Sequence, residues 1–176
     1  MFDLDALLAG CGEAVKETAP SRAVREVLTG ALQRPREVAD VLGRGTAGLD
    51  ILYNSPELTV LNVIWAPLMS IYPHDHRMWA VIGIYDGAED NTLFRRGADG
   101  IVKSGGKELR QGDIFSLGAD AIHVYGGDFV NQPRSQWDPD TLLEHPYDAA
   151  QVRRVFAEAN AAWIAQVGED LDEAAV

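Results

Sequence analysis

Two stretches near the start of the chain place hydrophobic residues at helical spacing. Their hydrophobic positions recur every three or four residues: Phe2, Leu4, Leu7 and Leu8, then Val24, Val27, Leu28, Ala31 and Leu32. Pro20-Ser21 and Pro35 interrupt this pattern, so we predict separate helices within residues 2–43. A serine ahead of a hydrophobic run commonly caps a helix, which makes Ser21 the predicted N-cap of the second one.

The pattern changes between residues 48 and 130. Short runs rich in Val, Ile, Tyr and Phe alternate with glycine-bearing turns such as Asp86-Gly87 and Ser104-Gly105-Gly106. Strands this closely spaced, with no helix between them, pair antiparallel in a sandwich or barrel. Residues 148–167 return to helical spacing and predict an amphipathic C-terminal helix that ends near Gly168.

A chain of 176 residues fits one domain. We expect three parts within it: a helical segment over residues 1–45, a β unit over 46–137, and a C-terminal helix with an acidic tail over 138–176. Exposed strand edges and an acidic surface are compatible with a monomer or a homodimer.

Charge and cysteine content exclude several classes of protein. With 27 acidic and 15 basic residues the net charge is −12, which argues against binding to nucleic acid or to an anionic membrane. The single Cys11 excludes an intramolecular disulfide and suits a reducing compartment. No signal-peptide pattern opens the chain and no apolar run approaches membrane-spanning length, so we expect a cytoplasmic protein.

The candidate chemistry lies in His74-Asp75-His76. Side chains alternate faces along a strand, so the two imidazoles share a face, about 7 Å apart along it, and can converge on one metal ion. A third histidine, His123, stands in the β-like run 121–127. A strand histidine is otherwise commonly a core or surface residue; the charged neighbours of the pair favour the metal. His145 lies in a proline-containing connection and is not a favoured ligand.

Three imidazoles would form an open metal site. Neutral histidines suit Fe(II), nickel, copper and zinc alike, so ligand type does not name the metal. A structural zinc site would normally be closed by four ligands, usually including cysteine, and Cys11 lies in a predicted helix. Zinc hydrolysis, iron oxygenation and metal sensing all remain compatible with these residues.

Two motifs carry a family resemblance. The run Pro73 to Gly83, followed by Gly87-Ala88-Glu89, resembles the metal-binding strand of the bacterial cysteine-dioxygenase-like thiol dioxygenases, including 3-mercaptopropionate dioxygenases. The run Ile122 to Phe129 is also similar to that group. The resemblance covers about residues 50–137, and the His-Asp-His-x-x-Trp run is its most specific part.

The resemblance implies a mainly β protein, in which residues 46–137 form a cupin double-stranded β-helix barrel and residues 1–45 pack on it. It also implies that His74, His76 and His123 hold a non-haem Fe(II), that O₂ is added to a small thiol to give a sulfinate, and that Tyr125 is catalytic. Other divalent first-row metals fit the same ligands.

The chain departs from the family in the second half of the motif. The family has two histidines there, one a metal ligand and one in a Ser-His-Tyr relay, and this chain offers only His123. The sequence before His123 resembles the ligand segment, and Val124-Tyr125-Gly126-Gly127 resembles the relay segment. Either the third ligand or the relay histidine is absent, unless residues near 118–125 are missing. Ala121 occupies the place of the relay serine.

The substrate-binding cation is also unassigned. The family arginine that binds the substrate carboxylate has no counterpart in residues 57–65, and Val81 replaces a crosslinking cysteine of the mammalian-type enzymes. Arg95 and Arg96 are the candidate substrate-binding residues, with Arg134 a further inward-facing candidate. Arg77 has the opposite parity to the histidines and is expected to point away from the metal.

We therefore expect a mononuclear non-haem iron dioxygenase whose partners are a small molecule and O₂. The alternative is a non-catalytic metal- or metabolite-binding cupin with a degenerate site, which the missing histidine favours. A metal-independent sugar epimerase of the cupin class fits less well, because the paired histidines suit a metal better than a histidine base with an acidic partner.

Overall fold

Three helices begin the chain. The computed structural model describes residues 1–43, 45–98, 100–115 and 121–173. Within these, α1 spans Leu4–Ala14, α2 spans Pro20–Ala31 and α3 spans Pro35–Leu42. The predicted separation into helices is confirmed. The predicted N-cap is wrong: Ala19 precedes α2, because Pro20 takes the first helical position, where its fixed φ and missing N–H fit.

Nine strands are assigned within the described residues, and all the pairings between them are antiparallel. They are β1 (Gly48–Asn54), β2 (Thr59–Ile64), β3 (Ala80–Ile84), β4 (Ala88–Gly97), β5 (Gly100–Arg110), β6 (Ile114–Phe115), β7 (Ala121–Tyr125), β8 (Ser135–Trp137) and β9 (Glu144–Pro146). A five-stranded sheet has the order β1-β2-β7-β3-β6, while β4–β5 and β8–β9 form two-stranded sheets.

The predicted antiparallel strands are thus confirmed, but the architecture mixes helices with sheets and is only loosely mainly β. The strands form no closed barrel within the described ranges. Strand structure also continues beyond the expected boundary at residue 137, because β8 pairs with β9 after a short connection.

Helices α1, α2 and α3 pack against one face of the central sheet. Val60, Val81 and Val124 lie in one hydrophobic cluster with residues of α1, α2 and α3, including the fully buried Val24 and Leu28. Burying one such side chain stabilises the fold by about 1.5–3 kcal/mol. Neighbouring strand positions face the other way, because side chains alternate along a strand. That opposite face carries the candidate site.

The C-terminal helix α4 spans Ala149–Glu173 and covers part of this second face. Val152 and Phe156 are buried there, and Phe156 stacks on Trp65 with ring centroids 5.2 Å apart. The predicted end near Gly168 is wrong, since the helix continues for five more residues. One glycine costs a helix only about 1 kcal/mol relative to alanine. No helix in the described part of the chain is long and apolar enough to cross a membrane.

Candidate metal centre

The histidine pair lies in an extended connection just before β3. The expected regular strand is wrong here: His74 makes a single bridge with Gln136, and its neighbours are not assigned to a strand. The segment nevertheless pairs with β8, because the N–H of Trp137 donates to the carbonyl of Pro73 at 2.8 Å and that of Asp75 to the carbonyl of Ser135 at 3.0 Å. This pairing preserves the extended geometry on which the predicted convergence depends.

The two imidazoles converge. His74 Nε2 lies 3.1 Å from His76 Nε2, and the ring centroids are 5.0 Å apart. Two nitrogens bound at right angles to one ion, each at about 2.1 Å, would be about 3.0 Å apart. The observed separation therefore fits two adjacent ligands of a single first-row metal ion.

Both rings are held neutral, which is the protonation state that binds metals. Burial is the main cause that lowers the pKa of His74, and burial with nearby positive charge lowers the pKa of His76 to about 2. His74 Nδ1 lies 3.1 Å from the carbonyl oxygen of Tyr72. Because a carbonyl can only accept, Nδ1 carries the proton and Nε2 presents its lone pair to the site.

The third predicted ligand is paired with Tyr125. His123 is buried in β7, and its Nδ1 lies 3.0 Å from the Tyr125 hydroxyl. This contact is the arrangement expected of the relay alternative. The contact with Tyr125 involves Nδ1. If His123 binds a metal, it would do so through the other ring nitrogen, Nε2.

No group of three His, Cys, Asp or Glu side chains is arranged to hold a metal within the described ranges. Residues 116–120, in the segment where the two family motifs merge, lie outside the described residues. The assignment of His123 as the third ligand therefore stays a prediction.

Tyr125 keeps its proton. Burial is the main cause that raises its pKa, and the charges of Tyr147 and Glu89 raise it further, against a lowering by Arg134. The hydroxyl is therefore available to donate a hydrogen bond. The ring stacks on Phe129 with centroids 3.9 Å apart and meets the edge of His76 at 5.0 Å.

A buried arginine lies beside the histidine pair. The guanidinium carbon of Arg134 is 3.7 Å from the centroid of the Phe129 ring and 3.9 Å from that of Tyr147. Tyr147 in turn contacts His74, with centroids 6.0 Å apart. Nε and Nη1 of Arg134 are buried and have no hydrogen-bond partner in the described structure. Buried donors of this kind cost free energy unless something accepts from them, which indicates a place for an anion.

The two arginines favoured from sequence lie elsewhere. Arg95 is exposed on β4. Arg96 is also exposed and makes a two-pronged ion pair with Glu144, at 3.0 and 3.1 Å, with its guanidinium over the Trp137 ring. The structure therefore places Arg134, rather than Arg95 or Arg96, next to the histidines. Only the pairing of β8 with the histidine segment reveals this, and no local pattern encodes it.

Two other sequence candidates also stand apart from the pair. Arg77 contacts Asp75 and Ser135, in keeping with its parity. His145 is exposed on β9, opposite Gln136.

In comparisons with known proteins, no family model and no curated sequence matched the chain. The resemblance to thiol dioxygenases therefore stays a prediction from its motif residues.

Proposed function

We propose that this chain is a mononuclear non-haem iron dioxygenase that acts on a small carboxylate-bearing thiol. One observation carries the proposal: two neutral imidazoles converge to 3.1 Å beside a buried guanidinium whose donors have no partner in the described structure. The first group suits a divalent metal and the second a carboxylate, so a small molecule with a thiol and a carboxylate would fit both.

His74 and His76 would hold Fe(II), and His123 is the proposed third ligand through Nε2. Bound Fe(II) would supply the position at which O₂ and the substrate thiol react, with both oxygen atoms entering a sulfinate product. The proposed fold is a cupin-type barrel. The antiparallel sheet that carries His123 and Tyr125 supports it.

The chain's own residues would bind and orient the substrate. Arg134 can bind a carboxylate by donating N–H hydrogen bonds to it, and its contacts with the Phe129 and Tyr147 rings hold the guanidinium in one orientation. The same rings exclude water, which strengthens the ion pair. Tyr125, protonated and facing the histidines, can donate a hydrogen bond to a bound oxygen or sulfur atom.

The test is anaerobic reconstitution with Fe(II), followed by measurement of O₂ uptake with 3-mercaptopropionate, cysteine and small acids without a thiol. We expect uptake with one sulfinate formed per O₂ for at least one thiol acid. Arg134→Ala should lose activity toward thiol acids while retaining iron, and Arg95→Ala, a change at an exposed arginine, should match the wild type. Absence of uptake with every thiol would overturn the proposal.

A second candidate is a metal- or metabolite-binding module without catalysis. The observation that favours it is the pairing of His123 with Tyr125, which leaves two convergent histidines in the described residues. Stoichiometric metal binding without O₂ uptake would support this function instead.

A further inference from the structure

The carboxylate of Asp75 lies on the opposite side of the histidine segment from the imidazoles. Its Oδ1 accepts a hydrogen bond from the backbone N–H of Ser135 at 2.8 Å, and its Oδ2 accepts one from Arg77 Nε at 3.1 Å. Arg96 Nη2 approaches the same oxygen at 3.7 Å. Asp75 is therefore bonded on both oxygens while the residues on either side of it form the candidate metal pair.

The Ser135 contact connects the two halves of the site. Ser135 follows Arg134 directly in sequence and lies 60 positions from Asp75. This side-chain contact and the backbone hydrogen bonds between Asp75 and Ser135 and between Pro73 and Trp137 together form a junction between the histidine segment and β8. The junction therefore holds the segment that carries the two histidines next to Ser135, and so next to Arg134, which directly precedes it.

Arg77 completes the junction at a cost in backbone conformation. Its φ is 55°, in the left-handed region that residues with a side chain seldom adopt. In this conformation Nη2 of Arg77 donates to the Ser135 hydroxyl at 3.0 Å, while Nε donates to the Asp75 carboxylate. A strained conformation persists only where the surroundings hold it in place.

Arg96 extends the junction to β9. Its ion pair with Glu144 anchors the strand that pairs with β8, and its ring contact with Trp137 covers the end of β8. The β8–β9 hairpin is thus held against the histidine segment from two directions.

These ion pairs have little effect on global stability. The exposed fractions of the side chains are 27% for Asp75, 46% for Arg77 and 57% for Arg96, and pairs of this exposure contribute about 0–1 kcal/mol each. The position of a binding or reacting group, by contrast, has a large effect on activity. A reacting group displaced by about 1 Å can lose about a hundredfold in rate.

We propose that Asp75 is a positioning residue that sets the place of Arg134 relative to the His74–His76 pair, and thereby gives the site its preference for carboxylate-bearing substrates. The proposal rests on the function proposed above. Asp75 touches no substrate; it acts through the Ser135 backbone.

The experiment measures two quantities in the Fe(II)-loaded protein under anaerobic conditions: iron per chain, and the Kd values of 3-mercaptopropionate and its neutral amide. The variants are Asp75→Ala and Asp75→Asn, where asparagine retains an oxygen for the Ser135 N–H but loses the charge that binds Arg77 and Arg96. Asp140→Ala is the matched control, since it removes an exposed carboxylate from the β8–β9 connection.

We expect the Kd of the acid to rise by about tenfold or more in Asp75→Ala. The rise should be smaller in Asp75→Asn and absent in Asp140→Ala. The Kd of the amide and the iron content should stay at wild-type values in all three. This selective loss is what a merely structural role would not produce.

The opposite outcomes are distinct. Equal affinity of the wild type for acid and amide would refute the proposed role of Arg134, whatever Asp75 does. A wild-type preference retained in Asp75→Ala would refute the positioning role alone. A parallel loss of both affinities or of iron in Asp75→Asn would also refute it, and this variant decides the matter if Asp75→Ala does not fold.

Discussion

The indole of Trp79 lies where a side chain at Gly126 would begin. A Cβ built on Gly126 would overlap the indole ring, and the N–H of Gly126 donates to the carbonyl of Trp79 at 3.1 Å. The two motifs on which the family resemblance rests therefore pack directly on each other. The tryptophan of the first motif requires the glycine of the second.

Gly126→Ala should lower the free energy of unfolding by about 1–3 kcal/mol, because the new methyl group must displace the partly buried indole of Trp79. Urea unfolding followed by circular dichroism measures the change. Gly12→Ala is the control: a Cβ there meets nothing within 4 Å and lies on a helix, so we expect no loss of stability. Equal stability of Gly126→Ala and the wild type would show that the two motifs do not pack as described.

His74→Ala and His76→Ala should each reduce bound Fe(II) to background while leaving the fold intact. Losing one of the two converging nitrogens removes a predicted metal bond, whereas neither histidine is a member of the hydrophobic clusters that form the core. Iron analysis after anaerobic reconstitution gives the occupancy, and circular dichroism checks the fold. His145→Ala, a change at an exposed histidine, should bind iron as the wild type does. Full occupancy in both variants would contradict the assigned site.

His123→Ala and Tyr125→Phe separate the two roles that remain open for His123. If Nε2 of His123 binds the metal, the alanine variant should lose iron, and Tyr125→Phe, which removes only the partner of Nδ1, should retain it. The same iron analysis decides between them. Retention of stoichiometric iron in His123→Ala would assign this histidine to the relay role instead.

The stability of the metal-free protein should fall as the pH drops below about 6.5. The pKa of His76 is about 2 in the fold and 6.5 in the unfolded chain, so below pH 6.5 the unfolded state binds more protons than the native state. His76 alone should contribute a slope of up to about 1.4 kcal/mol per pH unit. Urea unfolding at a series of pH values gives the slope.

His76→Asn removes the titrating group and should reduce this slope, with His74, whose pKa is also lowered, accounting for part of what is left. A slope unchanged by His76→Asn would mean that the ring is not held neutral by burial.

Arg77→Gly should be more stable than Arg77→Ala by about 1 kcal/mol. Both variants lose the guanidinium contacts, but only glycine adopts a φ of 55° without a steric penalty. Urea unfolding of the two variants side by side gives the difference. If alanine is tolerated as well as glycine, the left-handed turn after the histidine pair is not a feature of the folded protein.

Local pattern was sufficient for the helices, for the antiparallel strands and for the pairing of chemical groups within a few residues. Helical spacing located α1 and α2, and Pro35 marked the start of α3. Strand alternation predicted that His74 would converge with His76 and that His123 would share a face with Tyr125. These features depend on how often side chains return to the same face of a helix or a strand, and that repeat is visible within a few neighbouring residues.

The predicted ends of two helices were wrong because two local preferences competed at the same position. Ser21 has the chemistry of a cap, but Pro20 before it is better suited to the first turn, so the helix begins two residues earlier than a cap at Ser21 would place it. A glycine such as Gly168 is typical of a helix C-terminus, yet α4 continues past it, because one glycine destabilises a long helix only slightly.

The tertiary structure alone decided which of the candidate arginines lies beside the histidine pair. Arg95, Arg96 and Arg134 are equivalent as cations in the sequence, and 60 residues separate the histidine segment from the strand that brings Arg134 to it. That pairing depends on long-range hydrogen bonds through Asp75, Ser135 and Trp137, which no local periodicity records. The sequence by itself determined that two histidines would meet, because they are two residues apart; only the folded chain could place a buried charge beside them.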